Sequence, residues 1–73
     1  MKRTPVVSTN VVSIGYDVST KVLEVEFIGW PRYIYQYLNV PVQEYQAFMA
    51  AKSKGAYVAN HLTERYHYVK VAS

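Results

Sequence analysis

Residues 22–38 read Val22-Leu23-Glu24-Val25-Glu26-Phe27-Ile28-Gly29-Trp30-Pro31-Arg32-Tyr33-Ile34-Tyr35-Gln36-Tyr37-Leu38, and the rest of the architecture is built around them. Leu23, Val25 and Phe27 alternate with Glu24 and Glu26, the period-two pattern of a strand with one buried face. Gly29-Trp30-Pro31 interrupts it, because Gly tolerates left-handed φ and Pro lacks the N–H a central strand donates. A second alternating run follows, with Tyr33, Tyr35 and Tyr37 on one face and Ile34, Gln36 and Leu38 on the other. Two such runs around a Gly/Pro break predict an antiparallel hairpin. A one-residue slip in its register would turn the tyrosines over. With a Gly29-Trp30 loop they lie opposite the Leu23/Val25/Phe27 face. With a Gly29-Trp30-Pro31 loop the two faces coincide and the tyrosines help build the core. Pro31 is a poor first paired residue, which favours the second register. Glu24 and Glu26 are then expected on a solvated face.

Upstream, Asn10 to Tyr16 is a further β-type stretch, with Val12, Ile14 and Tyr16 of one parity. Asp17 to Lys21 is polar and turn-forming. Residues 1–9 are polar with a proline and read as a flexible lead-in. Downstream, Asn39-Val40-Pro41 marks a change of period. Pro41 suits the first position of a helix, where its missing N–H is harmless, and Asn39 or Val40 lies near the cap. Val42, Tyr45, Phe48 and Met49 form a helical stripe, supported by Ala47, Ala50 and Ala51. Lys52 and Lys54 suit the negative end of that helix, and Gly55 suits its C′ position. A second, short helix is expected from about Ala56 to Glu64, with Val58, Ala59 and Leu62 inward. Tyr66 to Val71 alternates again as a last strand. The chain is thus read as one α+β domain over 1–73: a three-stranded antiparallel meander, two helices on one face and a short C-terminal strand (β-β-β-α-α-β).

Composition narrows the function. The chain has 73 residues, no Cys, a formal net charge of +3, and eight Tyr, two Phe and one Trp. Without Cys there is no disulfide, no thiolate metal site and no thiol chemistry. The apolar runs are far shorter than the ~20 residues of a membrane span. The basic start has no apolar stretch behind it, so no secretory signal is expected and the expected location is cytoplasmic. His61 and His67 lack the spacing and companion donors of a zinc site, so neither metal nor cofactor is expected. Glu24 and Glu26 lie on one strand face rather than across a cleft, and Ser13, Ser19 and Ser53 sit in no nucleophile motif. An enzyme is not expected.

The ordered set Tyr35-Gln36-Tyr37-Leu38-Asn39-Val40-Pro41, Tyr45, Ala51-Lys52-Ser53-Lys54-Gly55-Ala56-Tyr57, Asn60 and Tyr66 resembles the KTSC domain. Ser13-Ile14-Gly15-Tyr16-Asp17 and Leu23-Glu24-Val25-Glu26-Phe27 resemble its opening strands. That domain is named for the C-terminal region of some lysyl-tRNA synthetases and also occurs as a free-standing small protein. The hairpin Gly29-Trp30-Pro31-Arg32-Tyr33 is longer and more aromatic than the family's usual turn. The resemblance implies no established activity; RNA binding is proposed for the family through its association with a tRNA-handling enzyme.

Charge, the basic helix junction and the resemblance together point to a non-enzymatic module binding RNA or another single strand. Lys52, Lys54, Asn60, Arg65, Tyr66 and Arg32 are its candidate contacts, with phosphates supplying most of the affinity. The alternative is a protein-interaction, inhibitor or adaptor module without nucleic acid, presenting Trp30, Tyr33 and Tyr57 to a larger protein or forming a homo-oligomer.

Overall fold

The structure, a computed structural model, describes residues 1–29 and 33–72, with side chains as far as Val71. Its centre is a five-stranded antiparallel sheet in which spatial order follows chain order: β1 (Thr4–Pro5), β2 (Val11–Asp17), β3 (Val22–Phe27), β4 (Tyr33–Tyr37) and β5 (Tyr68–Ala72). Two helical segments stand between β4 and β5. The first is α1 (Val42–Ala50). The second, α2, covers 54–65 as an α-helical turn Lys54–Tyr57, a π-helical turn Val58–Leu62 and a last α-helical turn Thr63–Arg65.

The hairpin takes the register that Pro31 favours. Leu23 faces Tyr37, Val25 faces Tyr35 and Phe27 faces Tyr33. The tyrosines therefore share the apolar face of β3. Tyr37 is fully buried and Tyr33 and Tyr35 half-buried. The core lies between this face and the helices: Val11, Ile14, Leu23, Val25 and Tyr37 from the strands, Val40 from the connection, and Phe48, Val58 and Leu62 from the helices.

Four strands, not three, precede the helices. The segment read as a flexible lead-in pairs Thr4 with Ile14 and Pro5 with Ser13, and the Val6 N–H donates to the Val12 carbonyl at 3.0 Å. A two-residue edge strand has no period to read. Gly15 makes room beside it: a Cβ there would lie 2.7 Å from the Lys2 carbonyl oxygen. The Glu24 face is consequently covered, not solvated. Arg3 forms an ion pair with Glu24, and its Nε donates to Ser13 Oγ at 3.0 Å. Ser13 Oγ donates to Glu26 Oε1 at 2.8 Å, and Gln36 Nε2 donates to Glu24 Oε1 at 2.8 Å. Glu24 is 7% exposed. Burial pushes its carboxyl up, but the hydrogen bonds from Gln36 and Arg3 outweigh that and hold it below the ordinary value.

Helix α1 begins as the sequence suggests, with one shift. Pro41 is the cap residue, in extended backbone, and its carbonyl accepts from the Glu44 and Tyr45 N–H groups. Asn39 supplies no cap; it takes φ 57°, a left-handed conformation that Asn tolerates better than most residues. Gly55 is not the C′ residue of α1. That helix ends at Ala51, where Lys54 Nζ donates to the Ala51 carbonyl at 2.6 Å. Gly55 instead belongs to the first turn of α2, which Ser53 caps by accepting from the Ala56 N–H at 3.2 Å. Val58 and Leu62 point inward from α2 as expected, while Ala59 is exposed.

Candidate functional site

Between α2 and the tyrosine face of the sheet lies an open groove of about 510 Å³. Strands β3 and β4 form its floor, because the register gathers Phe27, Tyr33, Tyr35 and Tyr37 on one side. Helix α2 forms its wall with Val58, Ala59, Thr63 and Glu64, and Asn10 and Gly55 meet at one end. The Phe27 and Tyr33 rings stack with centroids 5.4 Å apart, and Tyr35 meets Phe27 edge-on at 5.5 Å. β5 extends the aromatic surface: Tyr68 stacks on Tyr35 at 5.1 Å. Lys70 Nζ stands 5.5 Å from the centre of the Tyr33 ring, within cation–π range. Tyr37 is the anchored member. Its hydroxyl and Thr63 Oγ1 are 3.2 Å apart and share a hydrogen bond, and burial pushes its pKa up. The groove thus offers ring faces on its floor, one cation at its edge, a carboxylate on its wall and an amide at one end.

A second cluster surrounds Glu44 in the first turn of α1, where a carboxylate also suits the helix dipole. Its Oε2 accepts from the Tyr57 hydroxyl, its Oε1 accepts from the Tyr66 hydroxyl at 2.9 Å, and Arg65 Nη1 stands 3.6 Å from Oε1. Burial pushes the Glu44 carboxyl up, but the two phenols and the charges of Arg65 and His61 bring it below the ordinary value. The Tyr57 phenol is pushed up to about 12 by burial and by its bond to that carboxylate. Tyr57 is also held between Phe48 at 5.4 Å and His61 at 4.4 Å. This arrangement ties α1 to both ends of α2.

The residues singled out from sequence are therefore dispersed. Tyr57, Tyr66 and Arg65 meet, but around Glu44, where their polar tips are engaged. Lys54 closes the end of α1. Lys52 is exposed and, with Ser53, lines a shallower cavity of about 450 Å³ against Val7, Ser8 and Thr9. Positions 54 and 65 lie at opposite ends of α2, about 16 Å apart along its axis. Asn60 is exposed in the π turn. Tyr33 lines the groove. Trp30 and Arg32 fall outside the described residues. Sequence reasoning missed Asn10, Glu44, Thr63 and the pairing of Tyr68 and Lys70 with the tyrosine row. The alternation of Tyr68 and Lys70 was visible, but not which strand they would join. Among the described residues no group of three or more His, Cys, Asp or Glu side chains could hold a metal ion, and no helix is long and apolar enough to cross a membrane.

Comparison with known proteins agrees with the fold. The chain is 37% identical over 68 residues to an uncharacterised protein of Stutzerimonas stutzeri (strain A1501), covering 93% of this chain and 92% of that protein. It superposes on the crystal structure of a KTSC domain protein from Yersinia pestis with a TM-score of 0.90 and 37% identity, covering 97% of each chain. The family model of the KTSC domain matches residues 7–66, so β2 to β4, both helices and the groove wall fall within the match, and the chain belongs to the KTSC domain family.

Proposed function

We propose that this chain is a non-enzymatic, cytoplasmic binding module for single-stranded nucleic acid, RNA in preference to DNA, and that the groove between α2 and the tyrosine row receives an unstacked base. The observation that carries the reading is the open aromatic floor of Phe27, Tyr33 and Tyr35 with Lys70 at its edge. Every base has a π-face, so stacking on such a floor tolerates sequence, and cations nearby hold the phosphates. The net charge of +3 favours approach of a polyanion. The contact set moves from the helix junction to the groove: Tyr33 for stacking and Lys70 for phosphate, with exposed Lys52 as an outlying phosphate contact. Arg32, next to Tyr33 in sequence, belongs to the same proposal. The resemblance of the motif set to the C-terminal region of some lysyl-tRNA synthetases adds an argument by analogy for RNA.

Fluorescence anisotropy with short labelled RNA and DNA strands at low and physiological salt tests this reading. Binding that weakens steeply with salt, and about tenfold or more on Tyr33→Ala, is expected. Loss of affinity in Lys52→Ala/Lys54→Ala with none in Tyr33→Ala would return the site to the helix junction. No binding at low salt would overturn the function.

A further inference from the structure

The two edges of the sheet are unequal. β1 is two residues long and contains Pro5, which blunts it. β5 is five residues long and is last in the strand order, so among the described residues no strand lies along its outer side. The Leu38 N–H donates to the His67 carbonyl at 2.9 Å, which makes Leu38 and His67 a hydrogen-bonded pair of the β4–β5 ladder. Pair types alternate along an antiparallel ladder. Gln36 with Val69 is then the next hydrogen-bonded pair, and Tyr68 and Lys70 turn their own N–H and C=O groups away from β4. Val69 is 40% exposed between them.

We propose that this edge pairs with the same edge of a second copy of the chain, about a two-fold axis through Val69, forming a continuous ten-stranded sheet. The register follows from the alternation and from charge. An axis perpendicular to the sheet keeps each face on its own side, and the regular pairing with β4 runs only as far as Lys70, where the register shifts, so Lys70 must meet Tyr68 or Lys70 of the second copy. Centring on Lys70 would set two ammonium groups opposite each other, which is unfavourable across a strand pair. Centring on Val69 sets each Lys70 opposite a Tyr68. Both residues are those with outward backbone groups, so four N–H···O=C bonds form across the axis. The two Val69 residues then make the closer, non-hydrogen-bonded pair. Lys70 already stands over an aromatic ring within its own chain, so a position beside Tyr68 of the second copy suits it. Because the axis is perpendicular to the sheet, both aromatic grooves open on the same side. The pairing stands independently of what the grooves bind. Four backbone bonds and one pair of valines make a small contact, so the dimer is expected to be weak and concentration-dependent.

Sedimentation equilibrium from about 10 μM to about 1 mM, with amide exchange by NMR, tests it. The mass of the unmodified protein is expected to rise with concentration, and the amides of Tyr68 and Lys70 to gain protection as it rises. The Val69 amide, already bonded to β4, should be protected throughout. Lys70→Pro removes an outward N–H without removing a bond to β4. Val69→Lys places like charges at the axis while keeping the backbone. Both are expected to weaken association at least about tenfold while keeping the native circular dichroism. A monomer at the highest concentration, or a dimer as tight in either folded variant, would overturn the proposal.

Discussion

The Asn10 side chain fills the space where a side chain at position 55 would begin: a Cβ on Gly55 would lie 2.5 Å from Asn10 Nδ2 and 3.2 Å from Asn10 Cβ. Asn10, the residue before β2, and the first turn of α2 therefore close one end of the groove by direct approach. Ala is the better helix former by about 1 kcal/mol, yet Gly55→Ala is expected to destabilise, because the crowding reaches the stem of Asn10 as well as its tip. In Asn10→Gly the same change should stabilise. Urea midpoints of the four proteins in this double-mutant cycle measure the coupling, and additive effects would refute the contact.

The Glu44 cluster makes stability depend on pH at both ends. Glu44 and Glu24 both have folded pKa values below the ordinary 4.5. Such a group stabilises the fold above its unfolded pKa and loses that contribution as pH falls through the folded value. Stability is therefore expected to decline below about pH 4.5, with a shallower decline in Glu44→Gln. Tyr57 has the opposite sense: its pKa rises from 10.0 to about 12, so its contribution is complete below pH 10 and disappears as pH rises through 12. Denaturation midpoints across pH check both limbs, and superimposable acid limbs for Glu44→Gln and the unmodified protein would contradict this account.

Arg3→Ala would leave the Glu24 carboxylate in a nearly closed position with Gln36 as its remaining hydrogen-bond partner. A loss of about 1–3 kcal/mol is expected, with the Glu24 pKa rising. Glu24→Gln in the same background should recover part of the loss, because an amide needs no cation. NMR titration of the carboxyl and urea denaturation provide the two readings.

Lys21 holds φ at 58° at the end of the turn that Asp17 organises, where the Lys21 N–H donates to the Asp17 carbonyl at 2.7 Å. Hydrogen bonds from Ser19 hold the Asp17 carboxyl below its ordinary pKa. A side chain in left-handed backbone is strained, so Lys21→Gly is expected to raise stability by about 0.5–1 kcal/mol despite the added chain entropy. Thermal denaturation measures it, and a lower midpoint would show that the Lys21 stem contributes more than its backbone costs.

Tyr37→Phe removes one hydroxyl from the most buried ring of the floor and leaves Thr63 Oγ1 without that partner. A loss of about 1 kcal/mol is expected, with the ring packing retained. Unchanged near-ultraviolet dichroism together with a lower urea midpoint is the expected pair of results.

Where the sequence repeats a period, it was enough to place the element. Leu23, Val25 and Phe27 placed β3, and Pro31 pointed in the sequence to the register in which Tyr37 lies in the core. Val42, Tyr45 and Phe48 placed α1, and the alternation from Tyr66 to Val71 placed the last strand, which begins two residues later, at Tyr68. β1 escaped notice because two residues carry no period, and its support, Arg3 on Glu24, joins distant parts of the chain. Gly55 is ambiguous in sequence because a glycine after Lys52-Ser53-Lys54 looks the same whether it ends one helix or opens the next. The Ser53 cap and the close approach of Asn10 distinguish the two. The basic residues looked grouped because they are close in sequence, whereas α2 separates Lys54 from Arg65 along its length. The groove was half legible: the tyrosine row was visible, and its wall from α2 was not.

The strand order also bears on how the chain folds. β1 to β4 lie side by side in the order in which they are connected, so each pairing closes only a short loop. The β4–β5 pairing alone spans both helices, from Tyr37 to Tyr68. Short-range pairings incur less closure entropy and form faster. The meander is the natural early structure, and the arrival of β5 is the late step that completes both the aromatic floor and the sheet. Until it arrives, the outer edge of β4 stands open. Substitutions in β5 such as Val69→Ala should therefore speed unfolding while leaving the folding rate nearly unchanged.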